Sequence, residues 1–250
     1  MLTWLDERTP LPSPAAALAA DSEAPGLVAA GGRLTVPRLE EAYRKGIFPW
    51  YSPGQPVLWW SPDPRMVLPA AEFRLSHSLK KLLRRFVRQG PAGGCEVRFD
   101  SAFRKVVEHC ALTPRPGQEG TWIVPAVIEA YCEWHARGRV HSAETWIDGQ
   151  LVGGLYFVSI GRMVFGESMF SLRPDASKIA LAALVAACRA RGVPLIDCQQ
   201  NTGHLASLGA REVPRIAFED HLVRTLGEPG IADWTYDETH WRGLLGDAAS

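Results

Sequence analysis

The sequence has no net charge, no C-x-x-C pair and no long apolar run, and each absence excludes a class of protein. Its 27 basic and 27 acidic side chains cancel, so any contact with a nucleic acid must come from a local patch. Its five cysteines are scattered along the chain, which argues against a disulfide framework and a zinc site and suits a reducing cytoplasm. No apolar run approaches the roughly 20 residues that a transmembrane helix needs. We therefore expect a cytoplasmic protein with no bound metal and no membrane partner.

The composition that remains is that of an ordinary globular protein, with 46% hydrophobic and 22% charged residues. A chain of 250 residues with this composition can form one large core, or one domain with a second, small one. The first 25 residues are rich in proline and alanine, and we expect part of them to be unstructured. Residues from about Gly227 onward read as a tail, which Trp234, Tyr236 and Trp241 could fold back onto the body.

A strand–helix–strand unit is predicted in the second half of the chain. Met163–Phe165 and Val193–Ile196 read as short buried strands. The segment between them is apolar nearly all round and reads as a buried helix, capped by Asp175 or Ser177 and ending near Arg191. A crossover of this length joins parallel strands.

Two carboxylates follow the strands of this unit. Glu167 and Asp197 fall at the carboxyl ends of their strands, which is the edge where open α/β sheets place their chemistry. Side chains alternate along an extended chain, so we expect Asp197 and Gln199 on one face and Cys198 on the other, against the buried helix. Asp197 is then either a catalytic carboxylate or a cap of the following turn.

The preceding segment predicts an antiparallel meander. Arg139–Ile147 and Gln150–Val158 read as strands, joined by Asp148-Gly149, a two-residue hairpin signal. Helices are predicted before and after this segment in the sequence, and Thr113–Gly120 is predicted to be a loop. The order of elements indicates a mixed α/β chain of the α+β class.

The segment Leu75–Arg88 predicts an amphipathic helix with one basic face. Leu75, Leu79, Leu82, Leu83 and Phe86 form its apolar stripe. The basic side chains on and beside the opposite face are His77, Lys80, Lys81, Arg84, Arg85 and Arg88. Such a face binds phosphates, or lies on a membrane surface, or is merely solvated, and its pattern alone does not distinguish these uses.

The stretch Phe48–Arg65 is stiff and aromatic, with five prolines and five aromatic residues among 18. Because proline fixes the backbone, the rings sit on a rigid scaffold. Such a wall suits the side of a pocket for an apolar group or a base, and it equally suits a packed connection between domains.

Several of these segments are motifs of one known family. They are the Phe-Pro-Trp and Trp-Trp-Ser-Pro-Asp-Pro-Arg signatures within 48–65, Thr121-Trp122-Ile123, Gly166–Ser171, Ala176-Ser177-Lys178, Leu195–Gln199 and His204–Ala210. With these motifs, residues 26 to about 225 resemble the bacterial leucyl/phenylalanyl-tRNA–protein transferases.

The resemblance implies an activity and a domain organisation. Enzymes of this family move Leu or Phe, with Met a further candidate, from aminoacyl-tRNA to the N-terminal Arg or Lys of proteins, which marks them for N-end-rule degradation. The implied partners are Leu-tRNA, Phe-tRNA and proteins with N-terminal Arg or Lys, and no cofactor is implied. The implied fold is a small N-terminal domain at residues 1–63 and a GCN5-type acyltransferase-like domain at residues 64–250.

The resemblance also implies residue roles. In the mechanism that the resemblance implies, Gln199 accepts the amine proton, assisted by Asp197. Because an amide oxygen protonates only in strong acid, we expect Gln199 instead to orient the attacking amine and Asp197 to stabilise the ammonium that forms. A carboxylate is the natural partner of Arg or Lys, so we expect Glu167 to bind the cationic side chain of the acceptor. The basic helix binds tRNA through the six basic residues named above. The residues expected to line the pocket for the aminoacyl group and the terminal adenosine are Trp50, Trp122, Leu155, Val164, Met169 and Ile196. Val164 stands where relatives can have a larger aromatic residue, so the relative use of Leu and Phe stays open.

Two other functions fit parts of the sequence. An acetyl-CoA-dependent N-acetyltransferase would share the fold, but the segment before the buried helix has no G-x-G pair for a pyrophosphate. A non-catalytic tRNA-binding module would explain the basic helix. It would not explain why Glu167, Asp197 and Gln199 converge at one edge of the sheet.

Overall fold

The computed structural model describes residues 2–113 and 121–246. The strands are β1 Thr3–Leu5, β2 Leu27–Gly31, β3 Phe48–Pro49, β4 Leu58–Trp60, β5 Arg65–Pro69, β6 Cys95–Phe99, β7 Val140–Ile147, β8 Gln150–Ile160, β9 Met163–Ser171, β10 Leu195–Gln199 and β11 Arg211–Val213. The helices are α1 Val36–Arg44, α2 His77–Gln89, α3 Phe103–Leu112, α4 Pro125–Ala136, α5 Ala176–Ala190, α6 Gly203–Ser207, α7 Arg215–Thr225 and α8 Arg242–Leu245. The predicted loop at Thr113–Gly120 falls, after Thr113, outside the described residues.

The first strands form a small sheet with the order β1-β2-β4-β3. β1 pairs in parallel with β2, which places Thr3 opposite Ala29. The expectation that part of the first 25 residues is unstructured is wrong at β1 and Leu11, because Leu5 and Leu11 bury their side chains in the core. These two apolar side chains and the pairing of β1 with β2 hold this proline-rich segment against the body.

The second sheet has seven strands in the order β11-β5-β10-β9-β8-β7-β6. β7 to β9 form the predicted antiparallel meander, and β6 adds to it by pairing with β7. β9 and β10 are parallel, as the crossover through α5 requires. At the hairpin between β7 and β8, Asp148 and Gly149 both have positive φ, 52° and 72°, as a tight primed turn demands. The mixed α/β class is confirmed.

Strands β9 and β10 separate soon after they pair, and this creates the space for a site. Their parallel pairing ends at Phe165 and Asp197. β9 nevertheless continues to Ser171, because it stays paired with β8. The strand predicted to stop at Phe165 is therefore longer than expected, and Glu167 lies within β9 rather than after it. β10 likewise begins two residues later than predicted and runs through to Gln199.

The large sheet separates two apolar clusters. One contains α5, α2 and the C-terminal tail, and α5 is buried nearly all round as predicted. Trp234 and Trp241 are 3% and 1% exposed, so the tail folds back on the body, a question that the sequence leaves open. The other cluster combines α3, α4 and α7 with α1 and the small sheet. The N-terminal segment therefore shares a core with the larger part, and the domain boundary at residue 63 stays a prediction.

No helix within 2–113 or 121–246 is both long and apolar enough to cross a lipid bilayer.

Candidate active site

A cavity of about 870 Å³ opens where β9 and β10 separate. Its walls come from the aromatic stretch around β3, from β8, β9, α5 and β10, and from the start of α6. The lining residues are Phe48, Pro49, Trp50, Trp122, Leu155, Tyr156, Gly166, Glu167, Ser168, Met169, Leu181, Leu184, Ile196, Cys198, Gln199, Gln200, Thr202, Gly203, His204 and Leu205. Most of this lining is apolar, which suits a ligand with an apolar body and a few polar groups.

Five of the six residues predicted for the pocket line this cavity, namely Trp50, Trp122, Leu155, Met169 and Ile196. The placement of Val164 is wrong. Its side chain is 0% exposed and packs in the cluster around α5. Val164 lies opposite Ile196 where β9 and β10 are still paired, and of these two residues Ile196 lines the cavity.

Two residues of the buried helix are missed by sequence reasoning. Leu181 and Leu184 of α5 also line the cavity. Their spacing of three residues places them on one side of the helix. That signal is present in the sequence, but a helix that is apolar all round does not reveal which of its sides faces an opening.

Glu167 and Gln199 form the polar end of the cavity. The Gln199 side-chain Nε2 donates to Oε1 of Glu167 at 3.2 Å, and the Tyr131 hydroxyl donates to Oε2 at 3.3 Å. The Tyr131 hydroxyl is in turn 2.6 Å from that of Tyr43 on α1. Carboxylate and amide are thus held together by groups from α1, α4, β9 and β10.

The enclosed position of Glu167 changes its protonation. Part of the residue is exposed, yet the loss of surrounding water raises its pKa to about 8; hydrogen bonds from Tyr43, Gln199 and Tyr131 oppose the rise, and the negative charge of Asp197 adds to it. Burial also raises the pKa values of Tyr43 and Tyr131 well above 10, so both phenols stay neutral donors. Neither tyrosine is predicted as a site residue, since each reads in the sequence as one more aromatic on a helix.

Asp197 does not line the cavity, contrary to what the predicted sheet edge suggested. Its side chain is 0% exposed and makes two hydrogen bonds with Arg65, from Nε to Oδ1 at 2.8 Å and from Nη2 to Oδ2 at 2.6 Å. Oδ1 also accepts the backbone N–H of Gln199 at 3.0 Å. These contacts agree with the interpretation of Asp197 as a cap of the following turn. A catalytic role for Asp197 stays a prediction.

The assumption of regular alternation beyond Asp197 is also wrong. The pairing of β10 with β5 shifts register between Asp197 and Gln199, and Gln199 has a φ of 62°. Cys198 packs against the cluster around α5 as predicted, and it also lines the cavity. Burial raises the pKa of its thiol far above the usual range, so the thiolate that a nucleophile would need is scarce.

The basic helix α2 has the predicted amphipathic form. Leu79, Leu83 and Phe86 are buried, and the basic residues His77, Lys81, Arg85 and Arg88 are exposed. Lys80 and Arg84 are partly buried, and Nη2 of Arg84 donates to the carbonyl of Leu245 in the tail at 3.4 Å. Arg84 is therefore committed to an internal contact, while the role of the face in binding tRNA stays a prediction.

One group of potential metal ligands occurs among residues 2–113 and 121–246, and it lies outside the cavity lining. It comprises Asp100, His135 and His141. Nδ1 of His141 is 2.7 Å from Oδ2 of Asp100, and Nδ1 of His135 is 2.7 Å from the carbonyl of Val140. These nitrogens are engaged in hydrogen bonds within the fold, and we assign no metal to them.

Comparison with known families identifies the chain over most of its length. Residues 67–223 match the family described as Leucyl/phenylalanyl-tRNA protein transferase. Residues 32–63 match the family described as Leucyl/phenylalanyl-tRNA protein transferase N-terminal domain. The two matched regions together include every residue that lines the cavity and the whole of α2.

Curated relatives agree over nearly the full chain. A protein from Methylibium petroleiphilum named Leucyl/phenylalanyl-tRNA--protein transferase is 64% identical over 245 residues, which cover 98% of this chain and 91% of the relative. Proteins of the same name from Leptothrix cholodnii and Burkholderia thailandensis are 60% and 56% identical, covering 99% and 100% of this chain and 96% of each relative. The chain therefore belongs to the leucyl/phenylalanyl-tRNA–protein transferase family.

Proposed function

We propose that this protein transfers Leu or Phe from aminoacyl-tRNA to the N-terminal Arg or Lys of cytoplasmic proteins, and so marks them for N-end-rule degradation. The observation that carries the proposal is an apolar cavity that ends in an adjoining carboxylate and amide, Glu167 and Gln199, in a chain of this family. A ligand with an apolar side chain next to a reacting polar centre is what such a cavity accommodates.

The acyl donor fits the apolar part of the cavity. Leu155, Met169, Leu181, Leu184 and Ile196 surround space for a Leu or Phe side chain. Met169 is unbranched and adapts to irregular shapes, which suits a pocket that takes side chains of two forms. In this arrangement, the aromatic faces of Trp50 and Trp122 receive the terminal adenosine, because bases stack on such faces with little dependence on sequence.

The acceptor amine approaches the polar end. An α-amine has an unperturbed pKa of about 7.7–8.0, so roughly a tenth to a fifth is already neutral at pH 7. The ester of aminoacyl-tRNA is an activated acyl donor, and positioning can therefore supply much of the acceleration. Because Nε2 of Gln199 is engaged by Glu167, the amide oxygen is left to accept an N–H of the amine and to orient it.

Glu167 is the proposed partner of the cationic side chain of the acceptor. Its carboxylate lines the cavity, and an ionised carboxylate is the natural hydrogen-bonding partner of Arg or Lys. Binding of the cation would favour the ionised form of Glu167 against the loss of water that raises its pKa. The acceptor thus supplies the positive charge that this enclosed carboxylate lacks.

The direct test is transfer of labelled Leu from Leu-tRNA to a protein that starts with Arg. We expect label on the N-terminus of that protein and far less on a matched protein that starts with a neutral residue. Acetyl-CoA is offered as donor in a parallel reaction. Acetylation without any transfer from Leu-tRNA would favour the acetyltransferase alternative, and tRNA binding without transfer would favour a non-catalytic module.

A further inference from the structure

A buried ion pair lies directly behind the polar end of the cavity. Arg65, the first residue of β5, is 1% exposed. Two of its nitrogens bind the two carboxylate oxygens of Asp197, and Nη1 donates to the carbonyl of Gly46 at 3.0 Å. Its guanidinium carbon also lies over two rings, 4.9 Å from the centre of Phe48 and 4.6 Å from that of Phe218. The fold therefore surrounds the cation with hydrogen-bond acceptors and aromatic rings.

The same pair fixes the backbone next to it. Oδ1 of Asp197 accepts the backbone N–H of Gln199, at the point where β10 shifts register against β5. Gln199 has a φ of 62°, a conformation that residues other than glycine adopt only when their surroundings impose it. The amide side chain that this backbone presents is the one that meets Glu167 in the cavity.

From these contacts we infer that Arg65 is a positioning residue for the transfer reaction. It holds Asp197, Asp197 holds the left-handed backbone of Gln199, and Gln199 thereby meets Glu167 and the incoming amine. Asp197 acts through Gln199 and not on the substrate, since its oxygens are used inside the fold and it does not reach the cavity. This inference rests on the proposed aminoacyl transfer.

Arg65 also connects the N-terminal segment to the site. Gly46 and Phe48 belong to that segment and contact the guanidinium directly, whereas Asp197 and Phe218 belong to the large sheet and α7. A planar guanidinium matches a carboxylate with two parallel bonds and leaves further donors for a carbonyl, which a lysine ammonium does not reproduce. Arg65 thus joins the two parts of the chain at the residue that sets the geometry of Gln199.

The experiment compares Arg65→Met, Asp197→Asn and the double variant, with thermal melting measured for each. Each single substitution leaves one buried charge without its opposite charge, which typically disrupts a site more than removing both charges. The asparagine Oδ1 can still accept the N–H of Gln199. We expect the kcat for Leu transfer in the double variant to exceed that of both singles by at least about tenfold, a coupling that independent sites do not show.

A folded double variant that is no more active than Asp197→Asn would overturn the inference, because the charge of Asp197 would then be needed in the reaction itself. So would Arg65→Met with kcat within about threefold of the unmodified protein. Absence of transfer by the unmodified protein, measured first, would instead count against the proposed function.

A conservative variant decides the matter if the double variant does not fold. Arg65→Lys keeps the charge but cannot bind both carboxylate oxygens in the same way. We expect kcat to fall about tenfold while the KM for Leu-tRNA is unchanged, as for an interaction that matters in the transition state. A lower melting temperature with unchanged kcat would mean that Arg65 only stabilises the fold, and would overturn the positioning role.

Discussion

The polar end of the cavity and the basic face of α2 are built in opposite ways. At the cavity, Glu167 and Gln199 are each held by hydrogen bonds to side chains from other elements. On α2, Lys81, Arg85 and Arg88 are exposed on a helix whose other side is anchored by buried apolar residues. A reacting amine requires atoms fixed within fractions of an ångström, whereas phosphates require only positive charge nearby. This difference predicts that transfer kinetics respond most to reversed charge on α2. At the cavity, they should respond most to substitutions that change the geometry of the side chains.

The largest effect is expected when the positive charge of α2 is reversed. Reversing Lys81, Arg85 and Arg88 to glutamate should raise the KM for Leu-tRNA about a hundredfold and leave kcat at saturation nearly unchanged. The salt dependence should flatten, by roughly 0.7–0.9 in the log–log slope for each phosphate that the helix no longer binds. Arg84 is left intact because it bonds the tail.

The matched control reverses Lys105 on α3, Arg137 directly after α4 and Arg224 on α7, which are all exposed, so that the change in net charge is the same. An equal rise in KM for the control would mean that overall charge matters and that α2 has no special role. An unchanged salt slope in the α2 variant would make its basic face a solvated surface.

The second prediction concerns whether Glu167 recognises the positive charge of the acceptor side chain. Removing one partner of a desolvated charge pair costs about 2–5 kcal/mol, so Glu167→Gln should raise the KM for an Arg-starting peptide by about thirtyfold or more. The KM for Leu-tRNA should stay the same, and a neutral-starting peptide should be affected far less.

Glu133→Gln makes the same chemical change at an exposed site on α4 and serves as control, with melting curves for both variants. Equal losses for Arg-starting and neutral-starting peptides in Glu167→Gln would instead give Glu167 a purely structural part in holding Gln199 and Tyr131.

A third, smaller effect follows from protonation. Because the pKa of Glu167 is raised to about 8, the free carboxyl is mostly protonated below that pH and ionises as the pH rises through it. The preference for Arg-starting over neutral-starting peptides, measured as the ratio of their kcat/KM values, should therefore grow about twentyfold or more between pH 6 and pH 9. Titration of the α-amine is common to both peptides and cancels in the ratio.

The stability contributed by Glu167 should move in the opposite direction over an overlapping pH range. Between about pH 4.5 and 8 the folded protein holds a proton on Glu167 that the unfolded chain has released, so this residue lowers the free energy of unfolding as the pH rises. Glu167→Gln should remove both trends. A peptide preference that rises with pH in that variant as well would assign the titration to another group.

The smallest effect concerns Cys198, which lies beside the fixed groups without taking part in their hydrogen-bond chain. Cys198→Ala should keep kcat within about threefold and cost about 1 kcal/mol of stability from poorer packing. Cys188→Ala, which removes a fully buried thiol on α5, is the control for the packing effect alone. A covalent leucyl-enzyme that disappears in Cys198→Ala would contradict direct attack by the amine.

The difference between the two regions also separates what can be predicted from what cannot. The amphipathic pattern of α2, the buried α5, the hairpin at Asp148-Gly149 and the parallel crossover are all predicted correctly. Each depends on residues a few positions apart, so each leaves a period or a turn signal in the sequence. The identity of Glu167, Asp197 and Gln199 as candidates comes from strand ends and from family motifs, which are local as well.

The sequence by itself therefore determined the class of fold, the family and the elements that carry the site. Only the tertiary structure decided the contacts that set the site's geometry, such as the pair of Arg65 and Asp197, which lie 132 residues apart, and that of Tyr43 and Tyr131, 88 apart. The tertiary structure also places the Val164 side chain in the core and pairs the Arg84 side chain with the tail. A contact between segments so far apart leaves no period, turn or cap in either of them, because it exists only once the intervening chain has folded.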